Sequence, residues 1–195
     1  AKLQRWGRIW GYEVIYERRV SEGGTVAFSA FQNHARDLIT PIRQPSGLSR
    51  FENVDMALTR GLEAEGRFAF ASGLLTYGSA GYTIAEDGAG HRLTNSPRQI
   101  FKAGVSVPFL EKSLFASAEL RYGGPRDTLA GDSTPAYRDV DLTLLYRLKS
   151  GSTSISATVR NLFDTDNFVP GSFEHRQDQI VQPGRWFLVR LVKTF

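Results

Sequence analysis

The chain has 195 residues, enough for one domain with a sizeable core. Hydrophobic residues make up 41% and no stretch approaches the roughly 18 to 20 continuous apolar residues of a membrane-spanning helix, so a helical membrane protein is excluded while a β-barrel, apolar on one face of each strand, is not. Cysteine is absent, which excludes a disulfide scaffold and thiol catalysis, and the net charge of +4 is scattered along the chain, which argues against nucleic-acid binding.

No initiator methionine and no charged-then-apolar leader open the chain; Ala1-Lys2-Leu3-Gln4-Arg5 reads as the middle of something longer, and a fragment is expected. Nine strands are expected, at 8–20, 25–37, 51–70, 73–85, 98–109, 113–125, 137–149, 153–163 and 184–195. Most are twice the length of the average globular strand, about five or six residues, and roughly ten tilted residues cross a bilayer. In the first strand Tyr12, Val14 and Tyr16 oppose Glu13, Glu17 and Arg19. The third is the least regular, with 51–59 belonging partly to the preceding loop; its later half sets Leu62, Ala64, Phe68 and Phe70 against Glu63, Glu65 and Arg67. The fourth, with Gly73, Gly78 and Gly81, is weakly patterned and its faces are not assigned; such glycines mark bending or close approach of another segment. The sixth sets Leu114, Ala116, Ala118, Leu120 and Tyr122 against Ser117, Glu119 and Arg121. The seventh sets Val140, Leu142, Leu144, Tyr146 and Leu148 against Asp139, Asp141, Thr143, Arg147 and Lys149. In the eighth Ile155, Ala157 and Val159 oppose Ser154, Ser156, Thr158 and Arg160. In the last, Phe187, Val189, Leu191 and Phe195 share a face with Lys193, and Arg190 points the other way. An alternating strand that closes on an aromatic suits a barrel whose final strand pairs with its first; soluble domains end in fraying polar residues.

The connections alternate in length. Short ones follow the odd strands (21–24, 71–73, 110–112 and 150–152), and long ones, rich in Gly, Pro, Asp, Ser, Arg and Asn, follow the even strands (38–50, 86–97, 126–136 and 164–183). Two readings of the alternating charge remain open at this point. A soluble antiparallel sheet sets its apolar face on a core and its charged face in water. A membrane barrel sets its apolar face in lipid and its charged face in a wet or plugged lumen. Strand length and the sorting of the connections favour lipid.

Several segments resemble TonB-dependent outer-membrane receptors: Asn161-Leu162-Phe163-Asp164, then Gln182-Pro183-Gly184-Arg185, then an alternating strand to Phe195; Asp37-Leu38-Ile39; Phe51-Glu52-Asn53-Val54 with Gly61-Leu62-Glu63-Ala64-Glu65; and Asn95-Ser96-Pro97. They follow one another in family order along the whole chain. The resemblance implies an all-β fold, an antiparallel transmembrane β-barrel of 22 strands, of which residues 1–195 supply about nine, the C-terminal part. The plug domain, TonB box, signal peptide and remaining strands would lie upstream. Nine strands alone could not close, and their open edges would be costly in hydrocarbon.

The implied function is energised import of a scarce, large ligand, most fitting a ferric siderophore, with haem, cobalamin and sugars as family alternatives. The implied partners are the TonB-ExbB-ExbD complex acting through the plug, the barrel-assembly machinery reading Phe195, and outer-membrane lipid of a Gram-negative bacterium. No catalytic residue, cofactor or metal site is expected: the chain has no Gly-x-Ser-x-Gly, phosphate loop or spaced acid pair, and its three histidines lack ligand spacing. Loop candidates for ligand contact are His91, Arg92, Phe168, Phe173, His175 and Arg176: the aromatic and arginine side chains suit an anionic ferric siderophore and His91 or His175 a haem, while a solvated loop is the plainer reading of any one of them. Glu63, Glu65 and Arg67 either face the plug or solvate the lumen. Asp164 and Asp166 either bind calcium or end a strand in a turn. Two competing classes are a small outer-membrane barrel enzyme, which needs an even strand number and rim catalytic residues, and a soluble β-sandwich, which needs shorter strands and unsorted turns.

Overall fold

The computed structural model describes residues 6–43, 49–148 and 151–194. It contains, in chain order, β1 (Arg8–Ser21), β2 (Gly24–Arg43), β3 (Ser49–Ala69), β4 (Leu75–Asp87), β5 (Gln99–Phe109), β6 (Leu114–Gly123), β7 (Arg126–Asp127), β8 (Ser133–Thr134), β9 (Tyr137–Arg147), β10 (Thr153–Arg160), β11 (Phe168–Pro170), β12 (Gln179–Val181) and β13 (Trp186–Lys193). The nine long strands form one antiparallel sheet in the order β1-β2-β3-β4-β5-β6-β9-β10-β13, a meander in which each long strand pairs with the next. The four short strands form two hairpins, β7–β8 and β11–β12, inside the long connections.

Period-2 alternation sets the faces. Between β6 and β9 the register pairs Ala116 with Leu144, Ala118 with Leu142 and Leu120 with Val140, while Ser117 meets Thr143, Glu119 meets Asp141 and Arg121 meets Asp139. The sheet curls toward the second, polar set: Thr25 on β2 and Thr158 on β10, far apart in the sheet, line one concave hollow of about 850 Å³. Every dyad expected from the sequence recurs within the described residues, and β4 now has faces. Tyr77 and Ser79 line the concave hollow. Tyr82, which pairs with Leu62, lies on the convex face. Gly73 belongs to the turn before this strand, at φ 91°.

Among the described residues nothing covers the apolar convex face. Val14 is 74% exposed, Phe187 71% and Val189 73%, and among the described residues Ala85 is the one buried hydrophobic side chain. A soluble sandwich stacks a second layer on such a face. The described residues supply no second layer, and a continuous apolar surface of this extent needs a nonaqueous neighbour.

Short connections gather at one end. At the first, a Cβ on Gly23 would lie 1.9 Å from the Ala69 carbonyl oxygen, so only glycine fits. At the third, Leu110, Glu111 and Lys112 run consecutively through left-handed φ (47°, 54° and 68°), a conformation disfavoured by roughly 1–2 kcal/mol per L-residue. Ser113 closes that turn: its N–H and its Oγ both donate to the Leu110 carbonyl, at 3.0 and 2.6 Å.

The largest departure from the sequence reading is the expected loop 38–50. Instead β2 continues to Arg43 and β3 begins at Ser49, paired from Ile39↔Asn53 to Arg43↔Ser49. Asp37, read as a strand end, is a bulge: its φ is 57° and the register shifts between Ala35 and Leu38, after which pairing resumes. Among the described residues β1 pairs with β2 only as far as Arg36, so the partner given to Pro41 is Phe51 of β3 alone, a setting in which proline is tolerated. Other strands are shorter than expected, because β6 stops at Gly123, β10 at Arg160 before the left-handed Asn161, and β13 at Lys193. Lys149 and Phe195 lie outside the described residues.

Candidate functional site

The concave wall of β4 to β13 carries a connected set of charges. Tyr77 lies flat across Gly104, where a Cβ would come 2.3 Å from its ring, and its hydroxyl donates to Glu119 Oε2 on the strand beyond. Arg121 NH1 is 3.7 Å from Glu119 Oε1, and Arg121 NH2 donates to Asp139 Oδ2 at 2.6 Å and Asp141 Oδ2 at 2.7 Å. Arg160 NH1 meets the same Asp141 oxygen at 2.8 Å and its guanidinium lies 5.8 Å from the Trp186 ring centroid. Tyr137 Oη donates to Asp139 Oδ2 at 3.0 Å. Both aspartates are buried, at 7% and 6% exposure, and such charges persist in a fold only when paired and hydrogen-bonded. One register step away lies a row of hydroxyls, with Ser117 Oγ donating to Ser106 Oγ at 2.9 Å and Thr143 and Thr158 sharing a 3.0 Å bond.

The same Asp141 ties the wall to the longest connection. Its Oδ1 accepts the Asn161 N–H at 3.1 Å. Asn161, left-handed at φ 49° and buried, closes on Thr165 from both sides: Oδ1 accepts the Thr165 N–H and Nδ2 donates to the Thr165 carbonyl, each at 2.9 Å. Asp164 Oδ1 accepts the Arg185 N–H at 2.7 Å, and a Cβ at Gly184 would lie 2.7 Å from that oxygen. Asn167 clips the loop back to β9, donating to the Arg138 carbonyl at 2.8 Å and accepting the Arg138 N–H at 2.9 Å.

The expected loop candidates separate into structural and exposed residues. Arg92 is a tie between two connections: it donates to Asp127 Oδ1 (3.2 Å), the Ser96 carbonyl (3.0 Å) and the Pro125 carbonyl (2.8 Å). His91 folds its own hairpin, its N–H donating to Asp87 Oδ1 at 2.8 Å. Phe168 pairs with Val181 in the β11–β12 hairpin and is half-buried. Phe173 is 62% exposed at the tip of that hairpin, and Arg176 is exposed beside it. His175 Nδ1 bonds the Ser172 hydroxyl at 2.8 Å. The hairpin rests on the one before it, where Ala130 N–H donates to Asp178 Oδ1 at 3.2 Å. Glu65 and Arg67 line the concave hollow, and Glu63 lines a second hollow beside it. Asp164 is engaged with Arg185, its Oδ2 lying 3.7 Å from the guanidinium.

Sequence reasoning placed Glu119, Arg121, Asp139, Asp141 and Arg160 on one charged face without seeing that they touch. Register supplies that contact, and the short connections at 110–112 and 150–152 that set it were visible. Tyr77 was hidden by the weak pattern of its strand, and Asn167 carries no local signal. The concave arrangement is a polar, internally paired wall suited to facing water or a polar segment.

A family profile described as TonB dependent receptor-like, beta-barrel matches residues 7–162. No curated protein sequence matches the chain. Among solved structures, the ferripyoverdine receptor of the outer membrane of Pseudomonas aeruginosa aligns at 18% identity and TM-score 0.78, over 98% of this chain and 28% of that one. The ferric-catecholate import receptor Fiu of E. coli K12 aligns at 17% identity and TM-score 0.77, over 97% of this chain and 28% of that one. The copper transporter OprC aligns at 17% and 0.78, over 97% and 31%. The chain thus spans about a third of the length of these structures, and the likeness is one of fold.

Proposed function

The chain belongs to the TonB-dependent receptor-like β-barrel family, and from that premise we propose that it is the C-terminal part of an outer-membrane transporter that imports a scarce, large ligand, a ferric siderophore fitting best. The observation that carries the proposal is the uncovered apolar convex face joined to connections sorted short and long by end, an arrangement that suits lipid outside and a polar lumen inside. On this reading the long-connection end faces the exterior and the short turns face the periplasm. Two of the three similar structures are, by name, receptors for ferripyoverdine and a ferric catecholate, which supports iron-chelate cargo over other classes.

The barrel performs no covalent chemistry in this account. A plug domain upstream occupies the lumen, with Glu63, Glu65 and Arg67 facing it, and the TonB-ExbB-ExbD complex pulls on that plug to open a path. The barrel-assembly machinery reads Phe195. Phe173, His175 and Arg176, at an exposed loop tip, remain the best-placed ligand contacts of this segment; Arg92 and His91 act by holding their loops.

Uptake of radiolabelled iron from a panel of siderophores, in a strain deleted for the gene and in the same strain lacking TonB, tests the proposal. Loss of uptake for one siderophore in both strains supports it. Unchanged uptake across the panel, with uptake of cobalamin, haem and copper also unchanged, overturns import as the function.

A further inference from the structure

The convex face of β1 to β3 changes character toward the long-connection end. Above Arg18, which lies opposite Val26 near the short-turn end, its lower part is apolar, with Tyr16 opposite Phe28, Phe28 opposite Ala64 and Ala30 opposite Leu62. Beyond that the register sets Gln32 opposite Arg60, His34 opposite Trp10 and Arg36 opposite Arg8. Gln32 Nε2 and His34 Nε2 approach to 2.6 Å, which places both side chains on this one face. Between Gly24 and Gln32 the strand climbs roughly 20 Å, taking about 3.4 Å per residue and a tilt of about 40°, close to the roughly 25 Å apolar band of outer-membrane barrels. Arg60 and Gln32 therefore stand where hydrocarbon gives way to headgroups, and Arg36 and Arg8 stand further out. Trp10 and Tyr12, 47% and 71% exposed, sit at that boundary, where amphipathic rings settle. The Arg60 side chain is 54% exposed; Glu86, 4.0 Å away, offsets only part of the positive charge.

We propose that Arg8, Arg36 and Arg60, with Gln32 and His34 between them, dock the phosphate-bearing headgroup of an outer-leaflet lipid. The inference rests on the outer-membrane reading above. Cargo travelling the lumen does not meet the convex face. A second copy related by a two-fold axis would set the same positive block against itself. Guanidinium forks match phosphate oxygens bidentately, and the lipid's acyl chains continue onto the apolar band below the arginines.

The test uses the full-length receptor in detergent, titrated with a bisphosphorylated outer-leaflet glycolipid and with its dephosphorylated form, with bound lipid counted by native mass spectrometry. The phosphorylated form is expected to bind roughly tenfold tighter or better, and the double variant Arg36→Gln/Arg60→Gln to lose about that factor while binding the dephosphorylated form unchanged. The double lysine variant keeps most of the preference, and both variants keep heat-modifiable mobility. Equal binding of the two lipids, or a glutamine variant with undiminished preference, overturns the proposal. So does full displacement by millimolar inorganic phosphate, which marks a free-anion site, or a dimer that the glutamine variant abolishes, which marks a protein interface. A receptor absent from the outer-membrane fraction sinks the location itself, whereas one present there without phosphate preference sinks only the lipid site.

Discussion

Asp164 and Gly184 are far apart in the sequence and in contact in space. The two halves of the family-like pattern, Asn161-Leu162-Phe163-Asp164 and Gly184-Arg185, are one joint: Asp164 caps the Arg185 N–H, Gly184 leaves room for the carboxylate, and Arg185 NH1 reaches back to the Leu162 carbonyl at 3.4 Å. Asp37 and Asn53 form a second joint, with Asn53 Nδ2 donating to the carbonyl of the bulged Asp37 at 2.7 Å. Asp164→Ala should cost about 1 kcal/mol, and Asp164→Ala with Gly184→Ala less than the sum of the two, because both act on one contact. Urea midpoints in detergent check this; strict additivity contradicts it. Asp141→Asn should cost more, about 2–3 kcal/mol, since it strips the shared partner of Arg121 and Arg160 while leaving their charges in the wall. The motif residues were legible as letters before their contacts were; what the sequence lacked was the loop path that joins them.

At the scale of the elements, alternation made the barrel strands readable because each has one face for apolar groups and one for charges. It failed where backbone geometry overrode pattern. The left-handed Asp37 breaks the period, and the expected loop at 38–50 runs over paired strand on both sides. Weak alternation in β4 has its own reason: Gly78 and Ala80 on the convex face and Ser79 and Gly81 on the concave face leave little contrast to read. Leu144, 53% exposed on the convex face of β9, is predicted to be intolerant of charge. Leu144→Arg should destabilise by about 2–4 kcal/mol, whereas Thr143→Arg on the concave face should cost far less. Folding yields into lipid vesicles distinguish the two, and equal penalties contradict the facing. The long connections behave as a block tied by Arg92, Asn95 and Asp178. Arg92→Ala should raise hydrogen exchange in 88–98 and 124–136 while leaving β5 and β6 amides protected. The six loop residues selected from the sequence did not separate there into those that hold their loops and those left exposed, because tie and ligand contact both favour arginine, histidine and aromatic side chains.

At the scale of the molecule, the sheet of described residues ends on β1 and β13 without a further strand beside either, and it has an apolar outer surface. Both follow if it is an arc of a larger closed barrel, and a closed barrel follows from the need to satisfy every backbone group in lipid. The central claim is that this arc spans a membrane with its long connections outside, and because these 195 residues hold no cysteine, single cysteines introduced here report on this segment once any cysteine elsewhere in the full-length protein is replaced. Single cysteines would be placed in the full-length receptor at an exposed long-connection position, Ala89→Cys, and an exposed short-turn position, Glu22→Cys, and intact cells treated with an impermeant maleimide. The account predicts labelling at position 89 from outside, protection at position 22, and labelling at both after detergent lysis. Labelling at 22 but not 89 on intact cells, or equal labelling of both, would contradict it.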